Sequence, residues 1–151
     1  MDNKFKIDDE EWERKRWTLK FLNCSGKNNG LYYIVYSDTN GGTAHYKKTD
    51  TLKDPLNNKY LYSNACTDDV LNDKSKNILL TKEYDINKID VSCNTTSTIG
   101  QISFGFDGKI YSQLGTNIKE IENQCIIKLF DEKNNYKEIA VESKTGYIHQ
   151  I

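Results

Sequence analysis

The sequence predicts an α+β fold in which one N-terminal helix packs on antiparallel β-sheets. Three observations carry this. Residues 8–24 begin with a run of acids and then place apolar side chains at helical spacing. From Gly30 onward, short apolar or alternating runs are separated by polar turn residues. Residues 99–151 hold successive strand-like runs that tight turns can join into a C-terminal β-meander. A length of 151 residues suits one domain. Its expected parts are a flexible start at residues 1–8, a helix at 9–24, and a mainly β remainder at 30–151.

The helix rests on local signals. Asp8 is placed to cap it and Glu11 to close a capping box, and the acids favour the positive end of the dipole. Glu10/Arg14 and Glu11/Lys15 are i,i+4 pairs in the favourable order. At about 100° per residue, Trp12, Leu19 and Leu22 share one face, while Trp17 and Phe21 fall nearly opposite. A sheet can cover one stripe, so the second calls for a loop or another subunit. Gly26 suits the left-handed position that ends a helix.

Gly30–Ser37 is apolar and aromatic without clean alternation, as in a strand buried on both faces. A turn at residues 38–42 leads to a return strand at 43–48. Tyr32, Tyr33, Tyr36 and Tyr46 either form an aromatic binding face or fill half-buried strand surface; the second is the simpler reading. Residues 49–59 form a polar connection and 60–63 a short strand. Residues 64–77 are loop-like and contain Asp68, Asp69 and Asp73. Such carboxylates can attract Ca²⁺, but EF-hand spacing is absent and Lys74 and Lys76 dilute the charge. Residues 78–80 and 86–91 read as strands.

The meander begins with Ile102, Phe104 and Phe106 alternating with Ser103 and Gly105. Asp107-Gly108 predicts a type I′ hairpin turn, which needs positive φ at both residues. Lys109-Ile110-Tyr111 returns. A polar linker at residues 116–124 follows, then Cys125–Phe130, Tyr136–Val141 and, through Lys144-Thr145-Gly146, a last run at Tyr147-Ile148. The expected core is Trp12, Leu19, Leu22, Ile34, Val35, Ile102, Phe104, Phe106, Ile127, Leu129, Ile139, Val141 and Ile148.

Composition excludes more than it selects. Lys+Arg 21 against Asp+Glu 22 gives a net charge of -1. With arginine only at 14 and 16, there is no basic patch for nucleic acid. No apolar run nears the roughly 20 residues that span a bilayer, and residues 1–30 do not read as a signal peptide, so none is expected. The cysteines, Cys24, Cys66, Cys93 and Cys125, are widely spaced, with none in a C-x-x-C pair. That suits disulfides in an oxidising compartment better than zinc. Three pairings are possible. Cys24–Cys66 with Cys93–Cys125 is favoured, because Cys93 precedes the Ile102 strand and Cys125 opens a neighbouring one. No nucleophile elbow, P-loop, dinucleotide loop or zincin motif occurs. His45 lacks an obvious carboxylate partner and His149 lies where the chain frays. No enzyme, cofactor, metal site or small-molecule substrate is expected.

The order Ile-x-Phe-x-x-x-Gly at residues 102–108, a polar loop, a strand and a final hairpin in Thr-Gly-Tyr-Ile at 145–148 resembles the C-terminal part of GspH/FimT-type minor pseudopilins. The resemblance covers residues 99–151. It implies a pilin-like structural subunit of a bacterial pseudopilus serving type II secretion or DNA uptake, in a system related to type IV pili and competence. It also implies a native N-terminal membrane helix ahead of Asp2, with Met1 standing in its place. The domain would lie on the periplasmic side of the inner membrane. Its partners would be other pseudopilins and the membrane assembly machinery, and the second stripe of the helix would face those subunits. Phe104, Gly108, Thr145 and Gly146 would then serve folding. Some FimT-type pilins bind DNA through arginine-rich C-terminal tails, which residues 146–151 lack. The alternative is a secreted or filament-borne binding module for DNA or a surface ligand.

Overall fold

Arg16–Cys24 (RWTLKFLNC) forms a strand, β1, and not the second half of a helix. The computed structural model describes residues 16–24, 30–37, 47–63, 73–96, 98–105, 107–112 and 119–151. The proposed cap at Asp8 and the core residue Trp12 lie outside them. The predicted helix is therefore corrected over residues 16–24. The reason is visible in apolar side chains that fall on both sides of the segment, regrouped by period two from the helical stripes. Trp17, Leu19 and Phe21 alternate with Thr18, Lys20 and Leu22, and period two places both sets on opposite faces of a strand. Aromatic and β-branched side chains fit a pleated surface better than a helix.

β1 lies between β2 (Gly30–Ser37) and β4 (Gly100–Gly105). β4 pairs in turn with the short β5 (Ile110–Tyr111), giving an antiparallel sheet of order β2-β1-β4-β5. The second sheet has order β3-β6-β7-β8, from Lys88–Val91, Cys125–Phe130, Tyr136–Val141 and Ile148–Gln150. The fold among the described residues is thus two four-stranded antiparallel sheets. The longest helix among them, α1 (Leu80–Tyr84), has 5 residues. The α+β prediction is overturned, because no helix among the described residues covers either sheet.

Register fixes which side chains face each other. Leu19 opposes Ile102, Trp17 opposes Phe104, and Phe21 opposes Tyr33. In the second sheet Ile127 stands between Val91 and Ile139, and Leu129 between Ile89 and Lys137. These inward rows enclose a core around Phe21, Ile102, Ile110, Cys125, Ile127 and Val141. The far face of the first sheet is buried as well. Tyr32, Ile34 and Tyr36 pack there against Leu61, Ile78 and Leu79. Thr18 and Ser103, both buried, satisfy each other on that face at 2.8 Å. Sheet one is therefore a middle layer, which explains why β2 shows no clean alternation.

Asp54 organises the covering layer. It is buried and accepts from Leu56 N–H at 2.9 Å, Ser75 Oγ at 2.8 Å and Asn77 Nδ2 at 2.8 Å. Those hydrogen bonds, led by the backbone N–H of Leu56, hold its carboxyl below the usual carboxylate range.

Other expectations need correction. Residues 78–80 are not a strand: a 3-10 turn at Lys76–Ile78 runs toward α1. At 60–63 only isolated bridges from Tyr60 form. The strand at 43–48 falls largely outside the described residues, and Lys48–Asp50 is a 3-10 turn. The turn after β4 is not type I′. Gly108 has φ 80 but Asp107 is not in the left-handed region, and Gly108 N–H donates to Gly105 O instead. Phe106 lies outside the described residues. Ile148, expected in the core, is 55% exposed.

Candidate functional site

Where the sheets meet, the two edges of the second sheet differ. At the β3 edge they touch closely. A Cβ on Gly100 would lie 2.4 Å from Val91 Cγ2 and 3.3 Å from a Phe21 ring carbon, so only glycine fits. Toward the β8 edge they part and leave a groove of about 260 Å³. Leu19, Phe21, Tyr33, Leu80 and Phe104 form one wall. Ile127, Leu129, Ile139, Val141 and Ile148 form the other, and the exposed lining is wholly apolar. Burial pushes the Tyr33 phenol above its ordinary value.

The groove continues onto a ledge of Lys137, Ile139, Ile148, His149 and Gln150. Lys137 shares the inward row of β7 with Ile139 and Val141, so a cation stands at the end of an apolar row. No ion pair or hydrogen bond of its ammonium is present among the described residues. On the outer face of the same hairpin, His149 Nε2 lies 2.9 Å from Glu142 Oε1. Gln124 Nε2 donates to that oxygen at 2.6 Å. The His149 ring bond and the Gln124 amide hold the Glu142 carboxyl below its usual range. Tyr147 stacks on His149 at 5.3 Å. Sequence reasoning places His149 in a fraying end; the register of β8 gives it this carboxylate partner instead. Among the described residues no nucleophilic side chain bonds to either member of the pair.

The residues that carry the pseudopilin resemblance converge. Gly146 has φ 68, and a Cβ there would lie 2.9 Å from Gly108 O and 3.5 Å from Phe104 Cδ1. A Cβ on Gly108 would meet Thr145 O at 3.3 Å. Phe104, Gly108, Thr145 and Gly146 thus pin the β4–β5 turn to the β7–β8 turn, beside the groove. Ile110 N–H donates to Ser143 O at 3.3 Å in the same seam.

Cys93 and Cys125 are joined, with Cα atoms 5.2 Å apart. The bond extends the β3–β6 ladder beyond the Val91↔Ile127 pair. Cys24 is also disulfide-bonded; its expected partner Cys66 lies outside the described residues. Tyr32 and Tyr36 are buried under the covering layer and Tyr33 lines the groove, so they do not make an exposed aromatic face. Of the suggested calcium ligands, Asp68 and Asp69 lie outside the described residues and Asp73 pairs with Lys48. Among the described residues no group of three or more His, Cys, Asp or Glu side chains is placed to hold a metal ion. No helix there is long and apolar enough to cross a membrane.

Lys137 and Ile148 are the site residues that sequence reading misses as such. The alternation Lys137, Ile139, Val141 is visible in the chain, but which face turns inward depends on pairing with β6. No protein-family model, curated protein or solved structure matches the chain.

Proposed function

We propose that the chain is a non-catalytic assembly module of the bacterial envelope, the β-rich head of a minor pseudopilin. One observation carries the reading. The four residues on which the resemblance rests, far apart in sequence, meet in one seam between the β4–β5 and β7–β8 turns. The Cys93–Cys125 bond supports an oxidising compartment. Residues 16–24 play no part as a stalk, since they are β1. Assembly would use contacts between heads and between membrane segments, with other pseudopilins and the inner-membrane machinery as partners.

The genomic sequence upstream of Asp2 tests this. A Gly-Phe-x-x-x-Glu processing site followed by about 20 apolar residues is expected, together with loss of protein secretion or DNA uptake on gene deletion. A plain soluble start, with both processes intact in the deletion strain, would sink it.

A second reading, an exported binding module, is favoured by the groove: an open apolar slot with a cation at its rim. A net charge of -1 and the absence of lysine and arginine from residues 146–151 speak against DNA as its ligand.

A further inference from the structure

We infer that the groove binds a single unbranched acyl chain ending in a carboxylate, with Lys137 as the head-group contact. This rests on the binding-module reading and names its ligand class. Four features of the groove lead to it.

The lining is apolar throughout, so an occupant needs no hydrogen-bonding group along its length, and one that had such groups would leave them unpaired. The volume of about 260 Å³ lies just below the roughly 300–1,000 Å³ of ordinary small-molecule sites. That favours a slim chain over a ring system or a folded partner. The groove is open to water, with Ile148 55% exposed at its mouth, so a ligand can enter without displacing a strand.

The mouth is also asymmetric in charge. Lys137 stands on the inward face, cross-strand from Leu129. Of the acids near it, Glu138, Glu142 and Asp131 are engaged elsewhere, while Asp85, exposed in a neighbouring hollow away from the groove's apolar lining, has no side-chain partner among the described residues. Glu138 faces the other side of the sheet and pairs with Lys128 at 3.7 Å. Glu142 holds His149 on that same outer face. Asp131 shares a neighbouring hollow with Lys137. Its carboxylate accepts from the N–H groups of Lys133 and Asn135, at 2.8 and 3.0 Å, inside its own turn. An ammonium at the end of an apolar row complements an anionic head on an apolar tail.

The test is calorimetry and native mass spectrometry on the oxidised, delipidated protein, with probes below their micellar concentrations. Decanoate and dodecanoate should bind one to one, dodecanoate roughly tenfold tighter for its two added methylenes. Dodecyltrimethylammonium should bind more weakly than dodecanoate. Lys137→Glu should weaken dodecanoate about fivefold and improve the trimethylammonium probe. Ile148→Asp should abolish binding of both, and its circular dichroism and melting should show the fold kept. If Lys137→Glu folds poorly, Lys137→Met gives the same readout without charge reversal. Absence of saturable binding, equal affinity for anionic and cationic heads, or undiminished binding to Ile148→Asp would each overturn the inference. Shift mapping separates this failure from that of the parent reading. An apolar peptide that perturbs Leu19, Ile139 and Ile148 while acyl chains do not would leave a binding module with another ligand. No perturbation by either would remove both.

Discussion

The β3 and β8 edges of the second sheet belong to one layer but have been built to opposite specifications. At the β3 edge, Ile89 and Val91 are 7% and 6% exposed. Val91 presses into the space left by the missing side chain of Gly100, and the Cys93–Cys125 bond closes the ladder. At the β8 edge, a strand of 3 residues ends the sheet, Ile148 stands half in water, and the sheets separate over apolar side chains. Close packing secures the first edge and leaves nothing to bind there. The second edge gives up burial, and that surface is what a partner or ligand can use. Fold stability and binding capacity are thus divided between the two edges.

The largest expected effect is at the sealed edge. The bond between Cys93 and Cys125 closes a loop with a sequence separation of 32. The paired change Cys93→Ala/Cys125→Ala should lower stability by about 3–4 kcal/mol, mainly by freeing the unfolded chain. Urea denaturation measures it. Hydrogen exchange sharpens it: amides of β3 should lose protection before those of β7 and β8. Equal loss at both edges would show that the edges are not separate units.

Next is Gly100→Val. Its Cβ would come within 2.4 Å of Val91 Cγ2, a methyl on a stiff β-branched side chain that cannot swing clear cheaply. A cost of about 1–3 kcal/mol is expected. The matching change at the open edge, Ile148→Ala, should cost only about 0.5–1 kcal/mol, because half of that side chain is already hydrated. A larger loss for Ile148→Ala than for Gly100→Val in the same denaturation series would reverse the comparison.

The sequence makes one of these edges legible and hides the other. The strands at Cys125–Phe130 and Tyr136–Val141 follow from local pattern and turn spacing, and the structure has them. The favoured Cys93–Cys125 bond is also present, but it forms along the β3–β6 ladder and not beside the Ile102 strand, because the expected C-terminal meander divides, β4–β5 joining the first sheet and β6–β7–β8 the second. The β1 error is instructive. Helical spacing groups Leu19 with Leu22 against Trp17 and Phe21, whereas strand spacing groups Leu19 with Trp17 and Phe21 and turns Leu22 to the far face, and only burial on both sides decides between them. An unexplained second stripe is the warning that the chain itself carries. Phe104, Gly108, Thr145 and Gly146 stand out as a motif, yet their mutual contact depends on how two distant turns dock. The groove is not readable at all. It is a gap between sheets, and its walls come from residues 19 to 148, whose separation no local pattern records.

The smallest effect concerns pH, and it tests whether the open edge is held from its outer face. Glu142 is bonded to His149 and Gln124, and those bonds, His149 first, keep its carboxyl below the usual carboxylate range. A carboxyl depressed in the folded state adds stability above its unfolded pKa of about 4.3. That contribution is lost as pH falls through the lower folded value. Acid below about pH 4 should therefore loosen β8 first, read as faster exchange of the Glu142 and Ile148 amides, while β3 amides stay protected. Asp54, also depressed, sits in the covering layer, so its protonation loosens residues 51–61 and leaves the β8 amides alone. Glu142→Gln keeps an acceptor for Gln124 but removes the charge, and should flatten the acid response at β8. An unchanged acid response in that variant would mean that β8 is held by its ladder to β7 alone, and that the outer-face pair contributes nothing to keeping the groove's rim in place.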